Sequence, residues 1–333
     1  MSRDRPKVIC LTPVRNEAWI LDRFLKCASL WADHVIIADQ NSTDGSREIA
    51  ARYSKVTLVA NPFPFSEEKR QKLLLERARQ IDGPRLLLAL DADEIFTANL
   101  LTSPEWDTLL AVRPGTVVQI RLANLKPDLR AYWSPAWYGD FGFMDDGSDH
   151  IGRAIHSHRL PPTNGPTLAM RDILVMHLQY TDWERSRSKH RWYQCWERIN
   201  CPKRSAIDIF RTYHHMYGVG SENLQRIPDA WIQGYRDRGI DMTSTLHDGE
   251  YYWDREVLDF FAQYGASYFA KEYVWDLDWP KMAQSYGYDQ FEKYRDPRSA
   301  VQKMIHSWLL RTQEKANTRG IRTIDKLLQG LGW

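Results

Sequence analysis

The stretch that most constrains the fold is "LLLALDADEIF" (86–96), where five apolar residues run directly into Asp91, Asp93 and Glu94. Three similar apolar runs precede it, at 8–14, 34–40 ("HVIIADQ") and 55–61 ("KVTLVAN"). Between them Ile20, Leu21, Phe24, Leu25 and Ala28 recur at helical spacing, 47–53 reads as a second helix, and 66–80 as a third, capped by Ser66 and stopped at Asp82-Gly83-Pro84. Continuous apolar strands that alternate with helices predict a parallel sheet covered on both faces. Ligands of such sheets sit beyond the carboxyl ends of the strands. The polar clusters at 15–17, 39–44 and 91–94 each follow a strand, so they are expected to converge on one rim. Two carboxylates one residue apart can share a hard divalent cation such as Mg²⁺ or Mn²⁺, whose shell substrate phosphates complete. An ordinary acidic loop is the structural alternative, but acids gathered on one rim repel unless a positive group joins them.

The pattern changes further along. Residues 115–122 and 172–180 read as further strands, and the Trp-, Gly- and Asp-rich stretch between them cannot be regular throughout. From Thr181, where Thr181 and Glu184 fit a capping box, the chain reads as mostly helical and aromatic. We therefore expect an α/β domain over 1–180, with a mostly parallel, Rossmann-type sheet flanked by helices, and a largely helical region over 181–333 that completes the site or binds acceptor. The 14 Trp and 16 Tyr suit cores and sugar-stacking surfaces alike. With 45 basic against 43 acidic residues the chain is no polyelectrolyte, and nucleic acid is not an expected partner. Cys10, Cys27, Cys195 and Cys201 lack zinc spacing and read as reduced thiols. The charged start "MSRDRPK" precedes no signal-length apolar run, and nothing approaches the roughly 20 apolar residues of a membrane span, so a cytoplasmic setting is expected.

"PVRNEAWIL", "VIIADQNSTDGS" and "LLLALDADEIF", in that order, resemble the family 2 glycosyltransferases of the GT-A fold; the likeness covers about residues 7–100. The resemblance implies a metal-dependent enzyme, using Mn²⁺ or Mg²⁺, that moves a sugar from a nucleoside-diphosphate sugar to a saccharide or glycolipid acceptor by inverting displacement. It implies that Pro13 and Glu17 line the nucleoside pocket, that Asp39 accepts from the base, and that Asn41, Ser42 and Asp44 shape the loop. Lys69 and Arg70 are the basic residues it suggests over the base, with a solvated helix face as the alternative. Asp93 is implied as metal ligand, Asp91 as partner of the metal or the donor's ribose, and His177 as third contact, against the alternative of a satisfied structural histidine.

An inverting transfer needs a carboxylate base. The family's usual Glu-Asp base motif and its QxxRW run are not recognisable here, and the expected base is Asp146, with Asp145 and Asp149 as the other candidates. Arg185 and Lys189, at i,i+4 spacing in the densest basic run, suit neutralisation of a departing diphosphate or equally a solvated helix face. Trp133, Trp137 and Tyr138 are candidates for stacking on the acceptor. Two other classes remain open: a sugar nucleotidyltransferase, though "TPVRNEAW" lacks a Gly-rich phosphate loop, and a non-catalytic nucleotide- or glycan-binding module. The tail from 303 onward mixes basic and aromatic residues and suits either packing on the domain or peripheral contact at the inner face of a membrane.

Overall fold

The computed structural model describes residues 5–162, 164–244 and 250–333. The first four residues of the charged start lie outside it. The chain divides into two compact units: one holds the described residues of Met1–Asp182 and Gln225–His247, the other those of Trp183–Leu224 and Asp248–Trp333. Residues 225–244, expected with the C-terminal region, thus belong to the first unit.

The first unit opens as the periodicity predicts: β1 (Lys7–Val14), α1 (Ala18–Ala28), β2 (His34–Asp39), α2 (Ser46–Ala51), β3 (Val56–Ala60), α3 (Glu67–Ala78) and β4 (Arg85–Ala89). There follow β5 (Glu94–Phe96), α4 (Pro104–Leu110), β6 (Val117–Ile120), β7 (Leu122–Leu125), β8 (Ala131–Trp133), β9 (Gly139–Met144), β10 (Thr167–Ala169) and β11 (Val175–His177). The main sheet has the order β10-β6-β9-β4-β1-β2-β3 and is parallel except for β9, which runs antiparallel to both β4 and β6. Successive β1 side chains face opposite layers. Val8 and Cys10 join Ile20, Leu21, Phe24 and Leu25 of α1, whereas Ile9 and Leu11 join Leu74, Leu75 and Ala78 of α3. Both faces are buried, and this is why these strands read as unbroken apolar runs.

A second sheet, ordered β12-β8-β7-β11-β5 with β12 at Gln225–Arg226, extends the same unit. β11 pairs with β5 so that His177 stands opposite Glu94, and with β7 so that His177 also stands beside Asn124. β9 lay hidden in the irregular-looking aromatic stretch, because "GDFGFM" carries two glycines. Gly142 is required there: a Cβ would sit 2.8 Å from both the Leu88 side chain and the Cβ of Val118.

A short helix, α7 (Gln233–Arg236), completes the helices of the first unit. The second unit is built from α5 (Trp183–Asn200), α6 (Ala206–Tyr213), α8 (Tyr252–Tyr264), α9 (Trp279–Ser285), α10 (Ala300–Thr312) and α11 (Arg319–Gly330). Many of its aromatics are core: Phe261 packs between Phe269, Trp275 and Trp279. Arg191 is buried against Asp254 (3.2 Å) and Asp276 (3.1 Å). Thr181 does not cap α5; it lies in a 3₁₀ turn and its hydroxyl donates to the Leu178 carbonyl at 2.7 Å. All four cysteine thiols are free. No described helix is long and apolar enough to cross a membrane.

Gly142→Val is expected to overpack the β4–β9–β6 junction and to cost about 1–3 kcal/mol, read as a lower denaturant midpoint. An unchanged midpoint would contradict this packing.

Candidate active site

The loops after β1 and β2 interlock. Asn16 (φ 55°) and Asn41 (φ 54°) take the left-handed region, which Asn tolerates because its short side chain bonds locally, and Gly45 does so at φ 93°. Ser42 Oγ accepts from Asn16 N–H (2.9 Å), Asn16 Oδ1 from Thr43 N–H (2.8 Å), and Ser46 Oγ from Glu17 N–H (2.8 Å). Asp44 accepts from Ala18 N–H (2.8 Å) at the start of α1 and from Ser46 N–H (3.0 Å) at the start of α2. This acid is therefore built into the turn. Asp39 differs: it is buried at the end of β2, yet its contacts are long, 3.4 Å from Ser42 N–H to each oxygen and 3.6 Å to Arg47. Glu17 accepts from the Trp19 indole at 2.8 Å, and Pro13 lies in β1 opposite Ala38. Lys69 and Arg70, in the first turn of α3, lie over Phe63 (5.5 Å) and Phe65 (5.9 Å), and Gln40 donates to the Phe63 carbonyl at 2.8 Å, which ties that loop to the end of β2.

The loop after β4 carries Asp91, Asp93 and Glu94. Glu94 N–H donates to the Asp91 carbonyl (3.0 Å) and Asp91 N–H to Glu94 Oε2 (2.9 Å), so Glu94 closes the turn on itself. Arg159 binds both oxygens of Glu94, reaches Asp91 Oδ2 at 3.2 Å, donates to the Ala89 carbonyl at 3.3 Å and lies 5.0 Å over the Phe141 ring. Burial pushes the Glu94 carboxyl above its usual range, and the Arg159 charge acts against that rise.

Asp93 is buried and its backbone is pinned where Leu178 N–H donates to its carbonyl at 2.7 Å. Its Oδ2 is buried without a hydrogen-bond partner, and its Oδ1 lies 3.8 Å from His177 Nε2. His177 Nδ1 is 2.9 Å from Asn124 Oδ1. An amide oxygen only accepts, so Nδ1 carries a proton, by assignment from the network, and Nε2 is the ring nitrogen turned toward Asp93. Tyr180 packs edge-on against the imidazole at 5.6 Å and fixes its plane. A buried carboxylate oxygen lacking a partner costs free energy unless something positive binds it. A carboxylate oxygen and an imidazole nitrogen held from behind by Asn124 thus stand side by side. Among the described residues no group of three or more metal-ligating side chains occurs.

The expected base positions are not at this rim. β9 runs antiparallel to β4, so residues after Met144 emerge at the opposite end of the sheet. There the Asp145 side chain is buried between Arg79 (2.8 Å) and Arg85 (3.0 Å), which hold its carboxyl below the usual range despite burial. Asp146 accepts from Ser148 N–H at 2.9 Å in the following turn, and Asp149 is exposed, within the field of Lys72 on the flank of α3. The structure thus sets the three expected base candidates, Asp145, Asp146 and Asp149, away from the strand ends that carry Asp39 and Asp93. The same reversal brings Asp140, near the start of β9, to the rim two residues beyond the last β4–β9 pair, Leu88 with Gly142. There it is exposed and accepts from Gln119 Nε2 at 3.0 Å. Trp137, expected to be core or acceptor contact, is 59% exposed; Tyr138 lies 5.7 Å beneath Arg121, and Trp133 sits in β8. Arg185 and Lys189 lie on α5 in the second unit, outside the unit that carries the rim, with the Arg185 guanidinium 4.6 Å over Trp253. Arg159, Asn124 and Asp140 had no local sequence signal, because a strand reversal and a long loop bring them to the rim.

Residues 10–136, which carry β1 to β8 and the acids at 39 and 91–94, match the family model described as Glycosyl transferase family 2. This segment is a family 2 glycosyltransferase segment. The chain is thereby a glycosyltransferase, and the rim just described is its candidate active site. No curated protein matches the chain. Among solved structures it is similar to Staphylococcus aureus TarS 1-349 (11% identity, 94% of this chain and 92% of that chain, TM-score 0.38). It is also similar to glucosyl-3-phosphoglycerate synthase from Mycobacterium tuberculosis in complex with Mg²⁺ and uridine diphosphate (18% identity, 36% of this chain and 44% of that chain, TM-score 0.26). A third is a nucleotidyl transferase from Methanothermobacter (14% identity, 35% and 62%, TM-score 0.25).

Replacing Arg159 by Met strands Glu94 as a buried charge and should destabilise the glycosyltransferase by about 3–5 kcal/mol near neutral pH. Without Arg159 the folded pKa of Glu94 rises further above its unfolded value of about 4.3. The charged form is then penalised only in the folded state, so the variant should regain stability as pH falls toward 5 and lose it as pH climbs. Glu94→Gln in the same chain should remove that pH dependence. Denaturant titrations at several pH values check it.

Proposed function

We propose that this glycosyltransferase moves a sugar from a nucleoside-diphosphate sugar to a saccharide or glycolipid acceptor, in a divalent-metal-dependent, inverting displacement. The observation that carries the reading is the buried, unpartnered Asp93 Oδ2, on a carboxylate whose Oδ1 lies 3.8 Å from the Nε2 of a His177 ring held by Asn124. Asp93 and His177 would hold Mn²⁺ or Mg²⁺, with Asp91 near the metal or the donor's ribose. A cation there supplies Lewis-acid stabilisation of a departing diphosphate. Asp39, buried but bound only by long contacts, supports a reading in which it accepts from the nucleobase, with Pro13 and Glu17 lining that pocket and Lys69 or Arg70 over it.

The protein's own groups then divide the remaining work. Asn124 holds the His177 tautomer, Tyr180 holds its plane, and Arg159 fixes the loop on which Asp91 stands. Asp140 is our candidate base, because it is the exposed carboxylate at the start of β9, beside the end of β4. The acceptor oxygen bonds to the anomeric carbon as the bond to the diphosphate breaks, and the acceptor's proton passes to Asp140. Exposed Trp137 is a candidate stacking surface for the acceptor sugar. The rival nucleotidyl transfer lacks support in the loop after β1, which is built from side-chain caps and not from a glycine-rich phosphate cradle.

A thermal-shift panel of nucleotide sugars, with and without Mn²⁺, tests the reading. One nucleotide class should stabilise the protein in a metal-dependent way, and Asn124→Leu, which frees the imidazole to turn, should weaken that effect about 10–100-fold in metal concentration. No nucleotide effect with either metal would sink the proposal. Asp140→Asn should lower turnover at least about 100-fold while leaving donor stabilisation intact; full turnover would remove Asp140 from the role.

A further inference from the structure

The end of β6 carries a cation that the acids of the rim do not answer. Arg121 follows the last β6–β9 pair, Ile120 with Gly139, so Tyr138 is its cross-strand neighbour, and its guanidinium lies 5.7 Å over that ring. Asp140 pairs with Gln119, two residues back on the same face, and is therefore the diagonal neighbour of Arg121, a separation that long side chains can bridge. Yet among the described residues the half-buried Arg121 side chain makes no hydrogen bond or ion pair, and its Nε is buried without a partner. The acids of the rim turn to other groups: Asp39 to Arg47, Asp91 and Glu94 to Arg159, Asp93 to His177, and Asp140 to Gln119. A desolvated guanidinium without a carboxylate or carbonyl is costly to hold, and an oxyanion that takes its forked N–H groups reverses that cost.

Sheet order says which substrate brings the oxyanion. β9 lies between β6 and β4, so Asp140 stands between the Asp91–Glu94 turn that follows β4 and Arg121 at the end of β6. Arg121 leads into β7, where Asn124 meets His177, but side chains three residues apart on an extended chain point to opposite faces. The cation is thus turned away from the Asp93–His177 pair and toward Tyr138, which exposed Trp137 precedes. Adjacent strands are about 5 Å apart. An acceptor whose hydroxyl meets Asp140 therefore reaches Arg121 with a group only a few bonds further along its own chain.

We propose that Arg121 binds an oxyanion of the acceptor, a phosphate or carboxylate carried a few bonds from the hydroxyl that receives the sugar. The proposal rests on the sugar-transfer reading through Asp140, but its test does not use transfer. Isothermal titration calorimetry of the full chain with sn-glycerol 3-phosphate, glycerate or glycerol, each with Mg²⁺ and inorganic pyrophosphate already present, tests it. At least one of the two anions should bind and glycerol should not, and the anion that binds distinguishes phosphate from carboxylate. Arg121→Gln should weaken that binding at least about tenfold, and Arg121→Lys, which keeps the charge without the planar fork, should fall between the two. Melting curves that match the wild-type protein would show that both variants fold. Absence of binding by both anions, equal affinity for glycerol, or unaltered anion affinity in the folded Arg121→Gln protein would overturn the proposal. So would anion binding seen only when Mg²⁺ and pyrophosphate are left out, because Arg121 would then serve the donor's diphosphate. Failure of the sugar-transfer reading shows separately, as Mg²⁺ with pyrophosphate giving no binding heat that Asp93→Asn removes.

Discussion

Burial of both faces of the seven-stranded sheet is the constraint on which the rest of the first unit depends. With α1 on one side and α3 on the other, strands β1, β2 and β4 bury almost only apolar side chains between their ends, Thr12 being the exception. Polar chemistry can leave the sheet only at the strand ends, and in a parallel sheet the carboxyl ends share one edge. Asp39 and the Asp91–Glu94 turn are therefore neighbours by topology, although some fifty residues separate them in sequence. Acids brought together in this way must be answered. Arg159 answers Asp91 and Glu94, while the buried Oδ2 of Asp93 is left without a protein partner.

That division of labour gives each acid of "DADE" a separate task. Glu94 is consumed by the turn, bonded to the Asp91 backbone and to a guanidinium. Asp91 is held at the rim by the same Arg159. Asp93 faces an imidazole whose tautomer is set by Asn124, an arrangement costly for folding alone and sensible for binding a cation. The second sheet places that imidazole: β5 and β7 flank β11 and set His177 beside Glu94 and Asn124.

The part of the fold up to residue 96 was legible in the sequence because it is encoded locally, by strand-length apolar runs, helical periodicity and caps such as Ser66. His177 was legible for the same reason, as a polar residue ending an apolar strand. What the sequence concealed depends on long-range reversal. β9 reads as irregular because Gly142 is there to admit Leu88 and Val118, and once β9 runs backwards, Asp145 and Asp146 go to the far edge and Asp140 to the near one. Arg159 was equally invisible, since nothing near it in sequence marks the partner it meets across more than sixty residues. In the second unit the aromatics that suited either core or surface separate clearly, with Trp279 buried and Tyr264 and Tyr268 exposed.

The central claim, that Asp93 and His177 form a cation site completed by a diphosphate, is tested most directly by the electron paramagnetic resonance signal of free Mn²⁺. Titrating Mn²⁺ into the protein with a nucleoside diphosphate should deplete the free signal to a stoichiometry of about one per chain, beyond what nucleotide alone removes. Asp93→Asn should restore the nucleotide-only curve. Identical curves for the wild-type protein and the variant would contradict the account.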